Sequence, residues 1–402
     1  MIDAKTIPAG GTVAPGFEAV RDAFIEAQAK DRGGAQLCVY RHGRQVVDLW
    51  AGYDPENDRP YGEDTIGVLM SCTKGLVAAC VHMLAERGLI DLDAPMARYW
   101  PQFGQAGKER VTVRQAIAHQ AGLMGFEPEA RMGPAEIFDF ERSVAAIEAM
   151  APLWPPGEGA MYHFVTFGVL AGELVRRVDG RTVGRFIAEE IAGPLGLDVW
   201  IGLPEAEEPR RAPHFNDGPQ LTLDQWRALL AGVGIDVESR LSRTFFDTIT
   251  AVDGAIALIN TSRAARAAEM PAGNGVGNAR ALARFYAALI GEVDGVRLLG
   301  DAAMEQARQP QADSARPPAE FARLAQGPAS QSFGLGFELA SPVRPMLGPT
   351  SFGHSGAGGR LGYADPASGV AVGYACNTML NSPAGPDPRW IGWTAALTEA
   401  LK

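Results

Sequence analysis

Lysine is scarce in this 402-residue chain: Lys5, Lys30, Lys74, Lys108 and Lys402 are the only five among 36 basic side chains. Basic charge is short overall. The formal net charge of −11 argues against a nucleic-acid partner and against anionic membranes. No basic run or aromatic–basic patch offsets it. Long apolar runs are missing as well. Nowhere do about 18 apolar residues follow one another, so no membrane span is expected. Residues Met1 to Phe17 are polar and rich in Gly and Pro, with no apolar core of signal-peptide type. Cysteine is sparse too. Cys38, Cys72, Cys80 and Cys376 have spacings that fit neither a zinc site nor a disulfide framework. They are expected as reduced thiols in a cytoplasmic protein. Cys72 is the one placed to react, although burial as a small apolar residue is its expected role.

What remains is the composition of an ordinary globular protein, 47% hydrophobic and 21% charged. The length allows two or three domains, or one large two-lobed one. One lysine stands in an unusual place. Met70-Ser71-Cys72-Thr73-Lys74-Gly75 joins an extended lead-in, Thr65 to Met70, to the stretch Leu76 to Ala85, which is apolar on nearly every face. A helix apolar all round belongs at the centre of a domain. Gly88 marks its end. Ser71 then heads a central helix, where free N–H groups and the helix dipole favour developing negative charge.

Lys74, three residues on, shares a helix face with Ser71. A serine hydroxyl becomes a good nucleophile when a neighbouring base takes its proton. Lysine serves as that base only when neutral. From a reference pKa of about 10.4, working near pH 7 requires a drop of roughly 3 units, and burial pushes in that direction. Arginine cannot take this role, so a lysine in an arginine-rich chain is pointed. With 13 Ser and 5 Lys, about 0.16 Ser-x-x-Lys matches are expected by chance. The bland alternative is an N-cap serine with a lysine that snorkels to solvent.

Taken in order, the chain reads as a helix from Phe17 to Lys30 and then a β-hairpin, Gln36–Tyr40 with Gln45–Trp50. The Ser71 helix follows, then a connecting segment from Leu89 to Phe103. A mostly helical middle comes next: Val113 to His119 capped by Thr112, Ser143 to Met150, a helix opened by Tyr162 and stopped at Gly180, and Thr182 to Ile191. His119 to Leu123 is expected as a structural turn. From Glu205 to Gly277 the signals weaken to loops and short helices. Asn278 caps Ala279 to Leu289, and Gln309 to Gln331 reads as a long surface loop. Strands return at Phe333–Leu339, Arg360–Ala364 and Gly369–Cys376, and a helix from Trp390 to Leu401 follows. Strands near both ends around a helical middle imply an α/β fold of α+β type. One antiparallel sheet flanked by helices is built from both chain ends, with a helical lobe inserted. The expected division is an α/β domain, residues 1–95 and 295–402, and a mostly helical domain, 96–294, with the active site between them.

Two more pieces join Ser71 and Lys74: Tyr162-His163-Phe164 and His354-Ser355-Gly356-Ala357. Serine, lysine, tyrosine and a basic residue before Ser-Gly, in this order, resemble the serine β-lactamase and penicillin-binding-protein superfamily. The hairpin, His119 to Leu123, Pro156-Gly157 and Gly353 to Pro366 fit the same resemblance. It is closest to the class C β-lactamase-like branch and, within it, to family VIII carboxylesterases. The resemblance implies a β-lactamase/transpeptidase-like fold, Ser71 as acylated nucleophile, Lys74 as base and Tyr162 as its phenolic partner. It implies an oxyanion hole from the N–H groups of Ser71 and Ala357. His163, Phe164, His354, Ser355 and Gly356 are the expected substrate-binding residues. No metal and no cofactor is expected.

Two positions depart from the β-lactamase pattern. His354 replaces a lysine. Phe164 stands where Tyr-x-Asn would place an asparagine that holds a lactam's amide side chain. Tyr162-His163 through Gly168 resembles the esterases instead. The expected partner is therefore a small-molecule carboxylic ester, with weak β-lactam cleavage. The alternatives are a β-lactamase, a D-amino-acid peptidase or an acyltransferase of the same fold, and, outside enzymes, a spent binding or self-assembling module. Ser355 within Gly353 to Ala357 comes close to a Gly-x-Ser-x-Gly elbow, which needs a helix after it; Gly358, Gly359, Gly362 and Pro366 argue against one.

Overall fold

Alternation along the strands decides how the sheet is covered. Strand β1 spans Ala9–Val13, β2 Gly34–Arg41 and β3 Arg44–Asp54. Near the other end come β4 (Ser332–Phe333), β5 (Glu338–Leu339), β6 (Phe352–Gly356), β7 (Arg360–Asp365) and β8 (Val370–Cys376). They form one antiparallel sheet in the order β1-β3-β2-β8-β7-β6-β5-β4, with Arg59–Pro60 paired off β3. The central pairing, β2 with β8, joins the two ends of the chain. This is a computed structural model, and it describes residues 7–218, 221–311, 316–326, 331–380 and 386–402.

One face of the sheet carries Leu37, Val39, Val372 and Tyr374, packed with Phe24, Trp393 and Leu397. These last belong to α1 (Glu18–Gln28) and to the C-terminal helix Pro388–Ala400, which lie together on that face. The opposite face presents the alternate residues, Cys38, Tyr40, Ala371 and Ala375. Many of them are small, so a helix can lie close: a Cβ at Gly373 would stand 2.1 Å from Ala279 O, and one at Gly362 2.6 Å from the Tyr286 ring.

The helices that build the rest are α2 (Thr73–Glu86), α3 (Thr166–Asp179), α4 (Arg240–Thr261) and α5 (Ala279–Ile290); the C-terminal helix is α6. Asn278 caps α5 as expected. Residues 279–290 fall inside the segment assigned to the helical domain, yet α5 packs on the sheet, over β8, β7 and β2. Among the described residues no helix is long and apolar enough to cross a membrane. All four cysteines are buried free thiols.

Several local expectations need correction. The weak region 205–277 holds α4, which at 22 residues is a long helix capped by Ser239. Phe333–Leu339 is not one strand but the hairpin β4–β5, because Gly336 turns the backbone at φ +83°. The loop Gln309–Gln331 lies partly outside the described residues, and its described part contains the 3-10 helix Ala319–Gln326, with Phe321 buried. Tyr162 does not open α3. It lies in the loop ahead of Thr166, which is tied by hydrogen bonds to the His119–Leu123 turn.

Candidate active site

Ser71 sits in a single 3-10 turn, Met70–Cys72, that runs straight into α2. From Thr73 to Leu84 every residue of α2 is buried, as its apolar sequence requires. Met70 adopts φ +50°. A non-glycine residue in that left-handed region costs about 1–3 kcal/mol and persists only where its surroundings hold it. Thr73 does the holding: its Oγ1 donates to Met70 O at 2.6 Å and accepts from Gly275 N–H at 3.1 Å. The Ser71 N–H lies in the first turn of this helical run, where backbone donors lack intrahelical partners.

Lys74 does not snorkel. It is 1% exposed, and its Nζ lies 3.2 Å from Ser71 Oγ and donates to Ala272 O at 2.8 Å. Burial pulls the amine down to about 7. With one N–H committed to Ala272 O, the lone pair of the neutral amine is left to face Ser71. The Tyr162 ring stands 4.8 Å from Nζ, and its phenol lies close enough to Ser71 to interact with the hydroxyl. Burial pushes the phenol above its ordinary value, so Tyr162 stays protonated while Lys74 titrates near neutrality. Of the two groups beside Ser71, the amine is thus the one that can accept a proton at pH 7.

Strand β6 brings the second piece. A Cβ at Gly356 would stand 2.4 Å from Leu69 O, so the end of β6 lies against the backbone just ahead of Ser71, and Ala357 follows it, exposed. His354 is buried with its ring 6.0 Å from that of Tyr162. Its Nδ1 bonds Ser355 O at 2.7 Å, Nε2 has no partner, and burial holds the imidazole at about 4, hence neutral. Ser355 is occupied on both sides: Oγ accepts from Arg344 Nε at 3.0 Å, and its N–H donates to the buried Glu338 at 2.9 Å. Ser355 lies inside a strand followed by a turn and another strand, so no strand–turn–helix elbow exists there.

Of the expected substrate-binding residues, His163 is placed otherwise. Its ring is fully buried, Nδ1 donates to Met161 O at 2.6 Å, and Nε2 accepts from Leu123 N–H at 3.2 Å. Nε2 fastens the Tyr162 loop to the His119–Leu123 turn, Nδ1 braces the loop on itself, and neither nitrogen is left for a ligand. Phe164 is half-buried, edge-on to Tyr162 at 5.1 Å and 6.3 Å from Phe245 of α4. Cys72 is fully buried, burial pushes its thiol up, and its Sγ contacts His354 O; it packs rather than reacts. The carbonyl of Ala272 and the hydroxyl of Thr73 went unmarked in the sequence. A backbone acceptor carries no residue-type signal, whereas Thr one position before Lys74 was visible but indistinguishable from a helix-core residue.

A family model described as Beta-lactamase matches residues 20–395. The chain is 34% identical over 376 residues to the esterase/beta-lactamase LipL of Mycobacterium tuberculosis, covering 92% of this chain and 83% of that one. It is 32% identical over 216 residues to the esterase EstB of Burkholderia gladioli, covering 49% of this chain and 54% of that one. Among solved structures, a family VIII carboxylesterase superposes with a TM-score of 0.79 at 33% identity, over 98% of this chain and 100% of its own. A penicillin-binding protein homolog from Caulobacter crescentus gives 0.79 at 35%, over the same shares. The chain belongs to the beta-lactamase family, within the serine-hydrolase superfamily of β-lactamases and penicillin-binding proteins and close to its class C and family VIII esterase branch.

Proposed function

We propose that the protein is a carboxylesterase that cleaves short-chain carboxylic esters through an acyl-enzyme on Ser71. The observation that carries this reading is the buried Lys74 amine, near neutrality and 3.2 Å from Ser71 Oγ. Lys74 takes the Ser71 proton as Oγ attacks the ester carbonyl. The carbonyl oxygen becomes an oxyanion held by the N–H groups of Ser71 and Ala357. The intermediate collapses, the C–O bond to the alcohol breaks, and the proton passes from Lys74 through the Tyr162 phenol to the leaving oxygen. Water then repeats the sequence on the acyl-enzyme, with Lys74 taking its proton and Ser71 leaving with it.

Phe164 favours esters over lactams. An apolar ring beside Tyr162 offers no hydrogen bond to an amide side chain, and sites that bond a polar group discriminate far better than apolar ones. Esters also need less assistance, since an alkoxide or phenoxide leaves more easily than an amine. Ester cleavage is in the names of both the family VIII carboxylesterase structure and LipL, and the latter's name also includes β-lactamase. The wild type should show a higher kcat/KM for p-nitrophenyl butyrate than for nitrocefin. Phe164→Asn should raise the lactam-to-ester ratio by about tenfold. A wild type that prefers nitrocefin would end the esterase reading and leave a β-lactamase.

A further inference from the structure

The turn Ala357–Gly359 joins β6 to β7, and its backbone fixes where one N–H points. Gly359 N–H donates to Gly356 O at 3.1 Å, so that carbonyl faces into the turn. The peptide is planar and trans, so the Ala357 N–H on its other side faces out. The next three carbonyls are each taken by a side chain from behind. Arg360 Nη1 donates to Ala357 O at 3.0 Å, Arg389 Nη2 to Gly358 O at 2.6 Å, and Trp390 Nε1 to Gly359 O at 3.0 Å.

Arg360 also reaches the other half of the site. Its Nε donates to Val68 O at 3.2 Å, in the lead-in to Ser71. One side chain thus spans both segments that carry the two proposed oxyanion donors. The glycines make the clamp possible. A Cβ at Gly358 (φ +77°) would stand 2.4 Å from Arg360 Nη1, and one at Gly359 (φ +100°) 2.0 Å from Arg389 Nη2. Arg389 is anchored in turn by Asp387 and Asp31, at 2.6 and 3.0 Å. Arg360 differs: it is 1% exposed and among the described residues has no carboxylate partner. A buried guanidinium without a counter-charge is expensive to maintain, and this one adds its positive field where negative charge develops.

We propose that Arg360, Arg389 and Trp390 are positioning residues that clamp this turn, so that the N–H groups of Ala357 and Ser71 converge on one oxygen. None of the three touches the substrate; they act through the turn's backbone. The inference rests on the reading of Ser71 as nucleophile.

The test compares p-nitrophenyl butyrate turnover with inhibition by butylboronic acid, whose adduct on a serine carries a tetrahedral, negatively charged boron centre. Active sites are counted by fluorophosphonate labelling. Arg360→Met should lower kcat about 100-fold and weaken boronate inhibition by a similar factor, as loss of an oxyanion donor does, with KM little changed. Trp390→Phe, which removes the N–H to Gly359 O together with part of the ring, should show the same pattern at about tenfold. Arg360→Lys keeps the charge but not the fork, and should recover part of the loss. Trp393→Phe is the control: Trp393 lies on the same helix, fully buried, with no hydrogen bond to the turn, and its variant should keep both values. A merely structural role would lower thermal stability in all variants and move neither kcat per labelled site nor boronate affinity. Wild-type kcat and boronate affinity in Arg360→Met and Trp390→Phe would overturn the proposal. If Arg360→Met does not fold, Trp390→Phe decides alone. An active Ser71→Ala would remove the nucleophile reading itself, whereas an inactive Ser71→Ala beside normal clamp variants would remove the clamp alone.

Discussion

Ser71→Ala should lower kcat for p-nitrophenyl butyrate by on the order of 10⁵-fold or more, the scale seen when a serine nucleophile is deleted. The size follows from covalent chemistry. Without Oγ there is no acyl-enzyme, and the oxyanion donors and bound substrate supply only the residual catalysis. The fold should survive, because Ser71 is partly exposed and its hydroxyl bonds Lys74 rather than any group that holds the core together. Ser355→Ala is the matched comparison. Its hydroxyl meets Arg344 and faces no base, so activity should stay within about tenfold of wild type. Mass spectrometry after fluorophosphonate treatment should find the label on Ser71. A label on Ser355, or a Ser71→Ala enzyme with near-normal turnover, would refute the assignment.

Lys74→Arg should be nearly as damaging as Lys74→Ala, at about 10³–10⁴-fold in kcat, near the upper range for a general base. A guanidinium keeps the charge but cannot accept the Ser71 proton. The pH profile carries the same information with a definite sign. Burial lowers the Lys74 amine from its ordinary value to about 7. Below that pH the amine is protonated and unable to act as base; above it the amine is free. kcat/KM should therefore climb as pH rises through about 7 and then level off, the limb reporting the coupled Ser71–Lys74–Tyr162 set rather than one residue. Lys74→Met should abolish this limb along with activity, yet raise stability at pH 7 by up to roughly 4 kcal/mol, since the unfolded chain no longer favours a protonated amine. In the wild type the unfolded state binds the extra proton between about pH 7 and 10.5, so stability should rise with pH across that window. An active Lys74→Arg, or a flat profile, would count against lysine as base.

The core of the site was legible because its signals are local and chemical. Ser71 and Lys74 lie one helical turn apart in an apolar run, and a lysine there has to serve a neighbour or snorkel out; the structure buries it beside Ser71. The sheet was legible from strand-like runs parted by turns, as in Gln36–Tyr40 and Gln45–Trp50 around Arg41-His42-Gly43-Arg44; which face each residue takes, Leu37/Val39 against Cys38/Tyr40, came only with the fold. Helix α4 was not legible, although its buried positions Leu241, Phe245, Thr248, Ala255 and Ile259 follow helical spacing. Its buried face uses threonine and alanine where leucine is the usual marker. Its interior also carries Gly254 and many β-branched residues, which blur the periodicity. The Thr248 side chain fills the space a Cβ at Gly125 would need, 1.8 Å from its hydroxyl. Ala272 was unreadable in principle, since its carbonyl serves Lys74 across 198 residues of chain. The clamp on the Ala357 turn was hidden likewise: Arg389 and Trp390 sit at the start of a C-terminal helix, and only the fold brings them to the turn.

The pairing of β2 with β8 also sets the order in which a ribosome can finish this molecule. Gly34 is tied to Asn377, 343 residues later. At about 5–20 residues per second, β2 emerges tens of seconds before the strand that covers its edge. Throughout that interval Leu37 and Val39 belong to an open strand edge with an apolar face, the kind of surface that recruits other chains. Until β8 arrives, β3 covers one edge of β2 and α1 packs on one face, and the other edge stays open. A chain interrupted before residue 370 keeps Ser71 and Lys74, and still has no closed sheet on which to seat them.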